Sequence, residues 1–322
     1  MANKSSLILK QVERVIVGKN DIVSRVLMAI LSGGHILMED VHGTGKTTLA
    51  LAFAKSLGID FKRIQFTSDS MPSDVIGFSV YDKSGNALSY KPGAAMTNLL
   101  LADEINRTSS KTQSALLEVM EEGQITVDGV TRQVPQPFVV IATQNPVGTA
   151  GTQVLPHAQL DRFMLRLKMG YPDFASQVNI LKDRQTANPL DDITPVVNIN
   201  EVISMKREVA EIHIADSIYE YVTTLAQHTR ENPMIQLGIS PRGALAVCRM
   251  AKAYAYVNGR EYVVPEDIAA IFCDVCAHRL MLSPKARLAN QSAEDILTEI
   301  LKEVKMPVTG ESSLIRSKGK RK

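Results

Sequence analysis

The chain has 322 residues, enough for one large domain or two medium ones with a sizeable buried core. Hydrophobic residues make up 45% and charged residues 22%, the balance of a globular protein, and no run approaches the ~18 apolar residues of a membrane helix. Lys and Arg number 36 against 34 Asp and Glu, and a net charge of +2 excludes nucleic-acid or membrane binding spread over the whole surface.

The opening stretch "MANKSSLILKQVERVIVGKN" has too short an apolar run, and no small-residue cleavage site, for a secretory leader. Cys248, Cys273 and Cys276 are odd in number and form no disulfide framework, so the expected setting is a reducing cytoplasm. Cys273 and Cys276 are spaced C-x-x-C, but within a helical pattern that puts both thiols on one face as small apolar side chains.

In chain order, "GGHILMED" predicts a buried strand and "KTTLALAFAKSLG" a helix stopped by Gly58. "FKRIQFT" predicts a second strand. "NLLLADEI" is nearly continuous in apolar residues, as a strand buried on both faces of a parallel sheet requires. "KTQSALLEVMEEG" predicts a helix ended by Gly123, "QITVDGVTRQV" a hairpin turning at Asp128-Gly129, and "PFVVIATQNP" a fourth strand. Such alternation predicts an α/β fold, a parallel sheet sandwiched by helices. The polar, proline-bearing "NPLDDITPVVNIN" predicts a linker near residue 190. Helical patterns follow, including "DSIYEYVTTLAQHTREN", "SPRGALAVCRMAKAYAYVNG", with Ser240 as N-cap before Pro241, and "SAEDILTEILKEV". The expected division is 1–190 as an αβα nucleotide-binding domain, 191–308 as a helical lid, and 309–322 as a basic, disordered tail.

The chemistry begins at "MEDVHGTGKTT". A loop between strand and helix can cradle phosphate with its backbone N–H groups at the electropositive helix start. Gly43 and Gly45 permit the tight turn, Lys46 reaches the β- and γ-phosphates, and the Thr47 hydroxyl suits Mg²⁺. The usual pattern places glycine five residues before the Gly-Lys pair, where this chain has Asp40. Alone, the stretch also fits a Gly-rich turn with a surface lysine. "LLLADEINR" decides for nucleotide: Asp103 emerges at a strand's carboxyl end, placed to hold hydrated Mg²⁺, and Glu104 beside it can polarise the attacking water. Asn145, ending "FVVIATQN", reaches the water or γ-phosphate from the other side, or makes an Asx turn before Pro146. Arg162 suits an arginine supplied in trans to a transferring phosphoryl group, or a surface ion pair. Arg242, in the first turn of its helix, suits a lid residue folding over the nucleotide.

These stretches resemble the MoxR family of AAA+ ATPases, in the helix-2-insert group. The resemblance covers roughly residues 8 to 305, with "LLLADEINR…KTQSALLE" and "IATQNPVGTAGTQVLPHAQLDRF" the most specific parts. It implies an AAA+ module with a C-terminal all-helical lid. The Walker A loop would be Gly43, Thr44, Gly45, Lys46, Thr47 and Thr48, and Walker B would be Asp103 and Glu104. Asn145 would be sensor 1, Arg162 the arginine finger, Arg242 sensor 2, and Val17 and Gly18 the segment beside the adenine. The family often carries Glu-Asp before the loop, which accommodates Asp40, whereas His42 replaces its usual proline.

The resemblance also implies ATP and Mg²⁺ as ligands and a homo-oligomer, usually a hexameric ring. It implies a client protein to be remodelled, activated or loaded with a cofactor or metal, and a partner bearing a von Willebrand factor A domain. "SVYDKSGNALSYKPG" would lie in the helix-2 insert and "GQITVDGVTRQV" would be the pre-sensor-1 hairpin. An ATP-gated scaffold with little turnover is a second reading. A nucleic-acid motor is a third, disfavoured because these hairpins offer only Lys83, Lys91 and Arg132.

Overall fold

The computed structural model describes residues 4–40, 43–82, 87–145, 153, 155–183 and 188–307. His42, residues 83–86 of the insert, Pro146 and the expected 309–322 tail lie outside the described residues.

Five parallel strands form the central sheet: β1 (Ile36–Glu39), β2 (Phe61–Gln65), β3 (Leu99–Asp103), β4 (Val139–Gln144) and β5 (Leu165–Leu167), in spatial order β2-β3-β4-β1-β5. Every residue of β3 and β4 is buried, which explains their near-continuous apolar runs. Alternate side chains leave by opposite faces. Ile36, Met38, Leu99, Leu101, Val139 and Ile141 join one hydrophobic cluster; Leu37, Leu100, Ala102, Val140 and Ala142 join the other.

The helix Lys46–Leu57 follows β1 and stops where Gly58 turns left-handed, at φ 59°. The helix Ser110–Glu122 starts at Ser109, whose hydroxyl accepts from the Thr112 N–H, and ends at Gly123, φ 64°. The expected hairpin is Gln124–Val127 with Val130–Gln133. Asp128 and Gly129 both have positive φ, 51° and 74°, as a two-residue type I′ turn demands. A second hairpin pairs Phe78–Asp82 with Ala87–Lys91 inside the insert, and the Arg132 guanidinium lies 4.1 Å over the Tyr90 ring, joining the two hairpins.

From Ile199 onward helices dominate: Ile199–Glu211, Asp216–Glu231, Pro241–Val257, Pro265–Cys276 and Ala293–Glu303. Their starts are written in the sequence. Asn198 and Glu201 form a capping box, as do Ser292 and Asp295, and Ser240 accepts from the Gly243 N–H at 3.1 Å. A short antiparallel ladder, Ile235–Leu237 with Met281–Leu282, sits among these helices; strands of three and two residues are too brief to leave a periodic signal. The apolar faces of these helices merge with the cluster on one face of the sheet, so Phe272 and Ile300 share a continuous core with Phe53 and Ile36. Truncating Phe272 to alanine would cost about 3–5 kcal/mol. Cys276 is fully buried and Cys273 partly so, and burial raises both thiol pKa values, as apolar packing of the C-x-x-C pair implies.

Candidate nucleotide site and a separate arginine cleft

The register of the sheet gathers polar residues at its carboxyl edge. Glu39 pairs with Gln144 and Gln65 with Asp103, while Ala102 opposite Ala142 sets Asp103 beside Thr143. The loop after β1 turns with Gly43 at φ 82° and Gly45 at φ 92°. A Cβ on Gly43 would meet nothing within 4 Å, so glycine serves the backbone conformation there rather than close packing. Lys46 is buried and its Nζ donates to the Asp40 carbonyl at 3.0 Å. Burial lowers the Lys46 pKa, while Asp40, Asp103 and Glu104 pull it back up.

Asp40 has a definite task. Its carboxylate accepts from the Met169 N–H and from the Gly170 N–H, the latter at 3.0 Å. The acid that stands where other phosphate loops carry glycine thus ties this loop to the segment after β5. That segment lines an apolar cavity of about 250 Å³ with Ile16, Val17, Tyr171, Ile180 and Leu181. Gly18, next to Val17 in the chain, packs against the helix Phe174–Asp183: its φ is +74°, and a Cβ would sit 2.1 Å from the Ser176 hydroxyl. Gly43, Thr44 and Gly45 are shared with a polar cavity of about 340 Å³, lined by Lys46, Thr47, Thr48, Arg63, Asp103, Glu104, Thr143 and Asn145. An apolar slot opening into a polar trough has the shape and chemistry of a purine joined to a polyphosphate.

Thr143 organises the acids. Its hydroxyl donates to Asp103 Oδ1 at 2.7 Å and accepts from the Glu104 N–H at 2.9 Å. Asp103 Oδ2 accepts from Arg63 Nη2 at 2.7 Å, and Glu104 Oε2 from Arg107 Nη1, also at 2.7 Å. Glu104 has φ 57°, a left-handed conformation costing a non-glycine residue about 1–3 kcal/mol and concentrated at functional sites. Asn106 fixes Asn145 by both backbone groups: its Oδ1 accepts from the Asn145 N–H at 3.3 Å and its Nδ2 donates to the Asn145 carbonyl at 3.2 Å. The Thr47 hydroxyl and the Asp103 carboxylate are hard oxygen donors, the set that suits Mg²⁺.

The two remaining arginines lie elsewhere. Arg162 and Arg242 line a cleft of about 460 Å³ together with Gly33, Gly34, His35 and Glu121. Gly33 to His35 precede β1, whereas the loop of Gly43 to Lys46 follows it, so the cleft and that loop stand at opposite ends of the strand. Four residues at ~3.3 Å each separate them by ~13 Å from the strand alone. Arg162 Nη2 meets Glu121 Oε2 at 3.1 Å, and Arg242 Nη2 meets Glu121 Oε1. Arg242 is therefore grouped with Arg162 and not with the loop over which the sequence places it.

The loop residues, Asp103, Glu104 and Asn145 share one cavity, with Val17 in the adjoining one. Sequence reading missed Arg63, Thr143, Arg107 and Glu121. Thr143 had a signal, since it lies two residues before Asn145, the spacing that strand alternation puts on one face. The pairing of Glu121 with two distant arginines had none.

Fold and site define a P-loop nucleoside triphosphatase with a helical lid. Residues 35–165 match the ATPase family associated with various cellular activities (AAA), and residues 227–300 match the AAA lid domain. The chain is 49% identical over 300 residues to the uncharacterized protein YeaC of Bacillus subtilis (strain 168), covering 93% of this chain and 94% of that one. It is 35% identical to the chaperone MoxR1 of Mycobacterium tuberculosis over 92% of this chain and 81% of the relative. A crystal structure from Cytophaga hutchinsonii, of a protein for which ATPase activity has been proposed, superposes with a TM-score of 0.88 at 37% identity, covering 95% of this chain and 96% of that one. The chain belongs to the MoxR family of AAA+ ATPases, and ATP hydrolysis is its reaction. Among the described residues, no helix is long and apolar enough to cross a membrane.

Proposed function

We propose that this ATPase works as a homo-oligomeric ring, of hexameric type, in which each nucleotide is bound by one copy and acted on by its neighbour. One observation supports the reading: the Gly43–Lys46 loop and the paired arginines stand at opposite ends of β1, which favours a neighbour's loop over their own as the one that Arg162 and Arg242 serve. In this reading Lys46 and the loop amides hold the phosphates, and Val17 with the Tyr171 segment holds the base. Thr47 and Asp103 would hold Mg²⁺, which would supply positive charge against the phosphate groups. Glu104 takes a proton from the attacking water, Asn145 orients that water, and Arg162 with Arg242 reaches the neighbour's γ-phosphoryl group. Residues 1–190 then form the nucleotide-binding unit and 191–308 the lid that sets Arg242.

The work done with this energy is remodelling or maturation of a client protein, in company with a partner bearing a von Willebrand factor A domain. The insert hairpin supports a polypeptide-binding role, since Phe78, Tyr81 and Leu88 are 50%, 60% and 66% exposed. A mixing experiment tests the arrangement. Arg162→Ala and Lys46→Ala are each expected to be inactive, and their mixture to regain turnover because a Lys46→Ala copy lends its arginine to an intact nucleotide site. A mixture as inactive as its components would sink the shared site.

An ATP-gated scaffold with little turnover is favoured by one contact, the Arg107 guanidinium on Glu104. Slow turnover that rises on replacing Arg107 with alanine would support it.

A further inference from the structure

The arginine cleft holds an unusual charge arrangement. Four arginines, Arg162, Arg242, Arg249 and Arg279, line it against two acids, Glu121 and Asp161. Arg279 and Asp161 are committed to each other and to the backbone: Arg279 also donates to the carbonyls of Asp161, Phe163 and Val275 at 2.7, 2.6 and 2.8 Å. Asp161 in turn accepts from Ser240 Oγ, at the cap of the helix that carries Arg242. Among the described residues of the cleft, three cations then remain for one carboxylate, Glu121.

Glu121 gives one oxygen to each arginine, Oε2 to Arg162 and Oε1 to Arg242. Two guanidinium groups on two oxygens of one anionic group is also how two arginines would grip a phosphoryl group. The side chains are 34% exposed for Glu121, 30% for Arg162 and 48% for Arg242, so an incoming anion can reach them without unfolding. Glu121 lies in the last turn of its helix, two residues before Gly123 changes the chain direction, a position where its side chain can swing aside at little cost to the core.

We propose that Glu121 is an internal stand-in for the γ-phosphoryl group of a neighbouring copy's nucleotide. It holds Arg162 and Arg242 as a matched pair and is displaced when a second copy presents ATP. Glu121 is then a positioning residue that sets how much nucleotide-loaded partner is needed for assembly, while the chemistry stays with the arginines. The inference rests on the shared-site reading above and goes further in naming the group that competes for the arginines.

Glu121→Gln keeps the size of the side chain and removes the competing charge. Assembly is measured by light scattering against protein concentration, with Mg²⁺ and a non-hydrolysable ATP analogue. The variant is expected to half-assemble at about two- to tenfold lower concentration than the parent, the worth of two half-exposed ion pairs. Its turnover per assembled subunit should match the parent's, and its melting temperature should certify the fold. An unmoved or raised assembly midpoint, or a fall in turnover per assembled subunit, overturns the proposal. The mixing experiment separates the two ideas. Recovery of turnover on mixing with an unmoved Glu121→Gln midpoint removes only the stand-in, whereas no recovery removes the shared site beneath it.

Discussion

The two ends of β1 are built by different means. At the carboxyl end, Gly43 to Thr48 are contiguous, and backbone conformation does most of the positioning. At the amino end, Glu121, Arg162 and Arg242 come from three separate elements and meet only through side-chain charge. The first end can be complete within one chain because a helix N-terminus and strand ends supply its parts in fixed register. The second end presents cations in an open cleft, where Glu121 is the carboxylate that Arg162 and Arg242 share. In the shared-site proposal, preorganisation belongs to the end that binds nucleotide and exchangeable ion pairs to the end that responds to a neighbouring copy.

The largest expected effect comes from the responsive end. Arg162→Ala should lower turnover by about 10³–10⁵-fold while leaving ATP affinity within a fewfold, since an arginine finger acts chiefly on the transition state. Steady-state hydrolysis and equilibrium binding on the same preparation separate the two quantities, and a loss confined to affinity would put Arg162 at the binding end instead. Next, Glu104→Gln should reduce turnover by about 10²–10⁴-fold with ATP still bound, because the proposed general base is removed without disturbing the Thr143 contact to its backbone. Near-normal turnover in that variant would assign the base elsewhere.

Lys46→Ala should weaken ATP binding by about a hundredfold, the worth of a buried charge-assisted contact, and calorimetry reads this directly. Retained micromolar affinity would mean that the loop is not the phosphate cradle.

His35 tests the rigidity of the amino end. Its Nδ1 accepts from the Val140 N–H at 3.0 Å, leaving Nε2–H to donate to the Met120 carbonyl, also at 3.0 Å. The folded ring is therefore neutral, and burial lowers its pKa to about 4 from an unfolded value near 6.5. A depressed folded pKa gives stability that is fully present above pH 6.5 and is lost as pH falls toward 4. Urea unfolding at pH 7.5 and pH 5 should differ by about 2 kcal/mol through this group, about thirtyfold in the folding equilibrium. A His35→Gln variant should show a correspondingly flatter pH dependence, and an unchanged slope would shift the cause to other groups. The smallest effect is expected at Thr143→Val, about tenfold in turnover, as Asp103 and the Glu104 N–H lose a shared hydroxyl.

The same contrast explains what the sequence disclosed. Strands β1 to β4, the helices that follow β1 and precede the hairpin, and the tight turn at Gly43 and Gly45 were legible, because local periodicity and a contiguous motif encode them. Strand β5 was not, since Leu165–Leu167 is three residues long and follows a helix of only four. The insert hairpin was known only by resemblance. Asp40 looked like a departure from pattern; its function became visible only when folding brought the N–H groups of Met169 and Gly170 to its carboxylate. Arg63 and Arg107 are ordinary arginines in sequence and acquire meaning from Asp103 and Glu104 beside them. The meeting of Arg242 with Glu121 was not legible, since the face on which a lid helix docks depends on packing over many side chains.

The most direct test of the shared site is steady-state ATP hydrolysis per subunit as protein concentration is raised, with mass measured by light scattering in the same samples. The account predicts low specific activity in dilute monomer, rising steeply as rings form with ATP. Specific activity independent of concentration, with full turnover in samples that scatter as monomer, would contradict it.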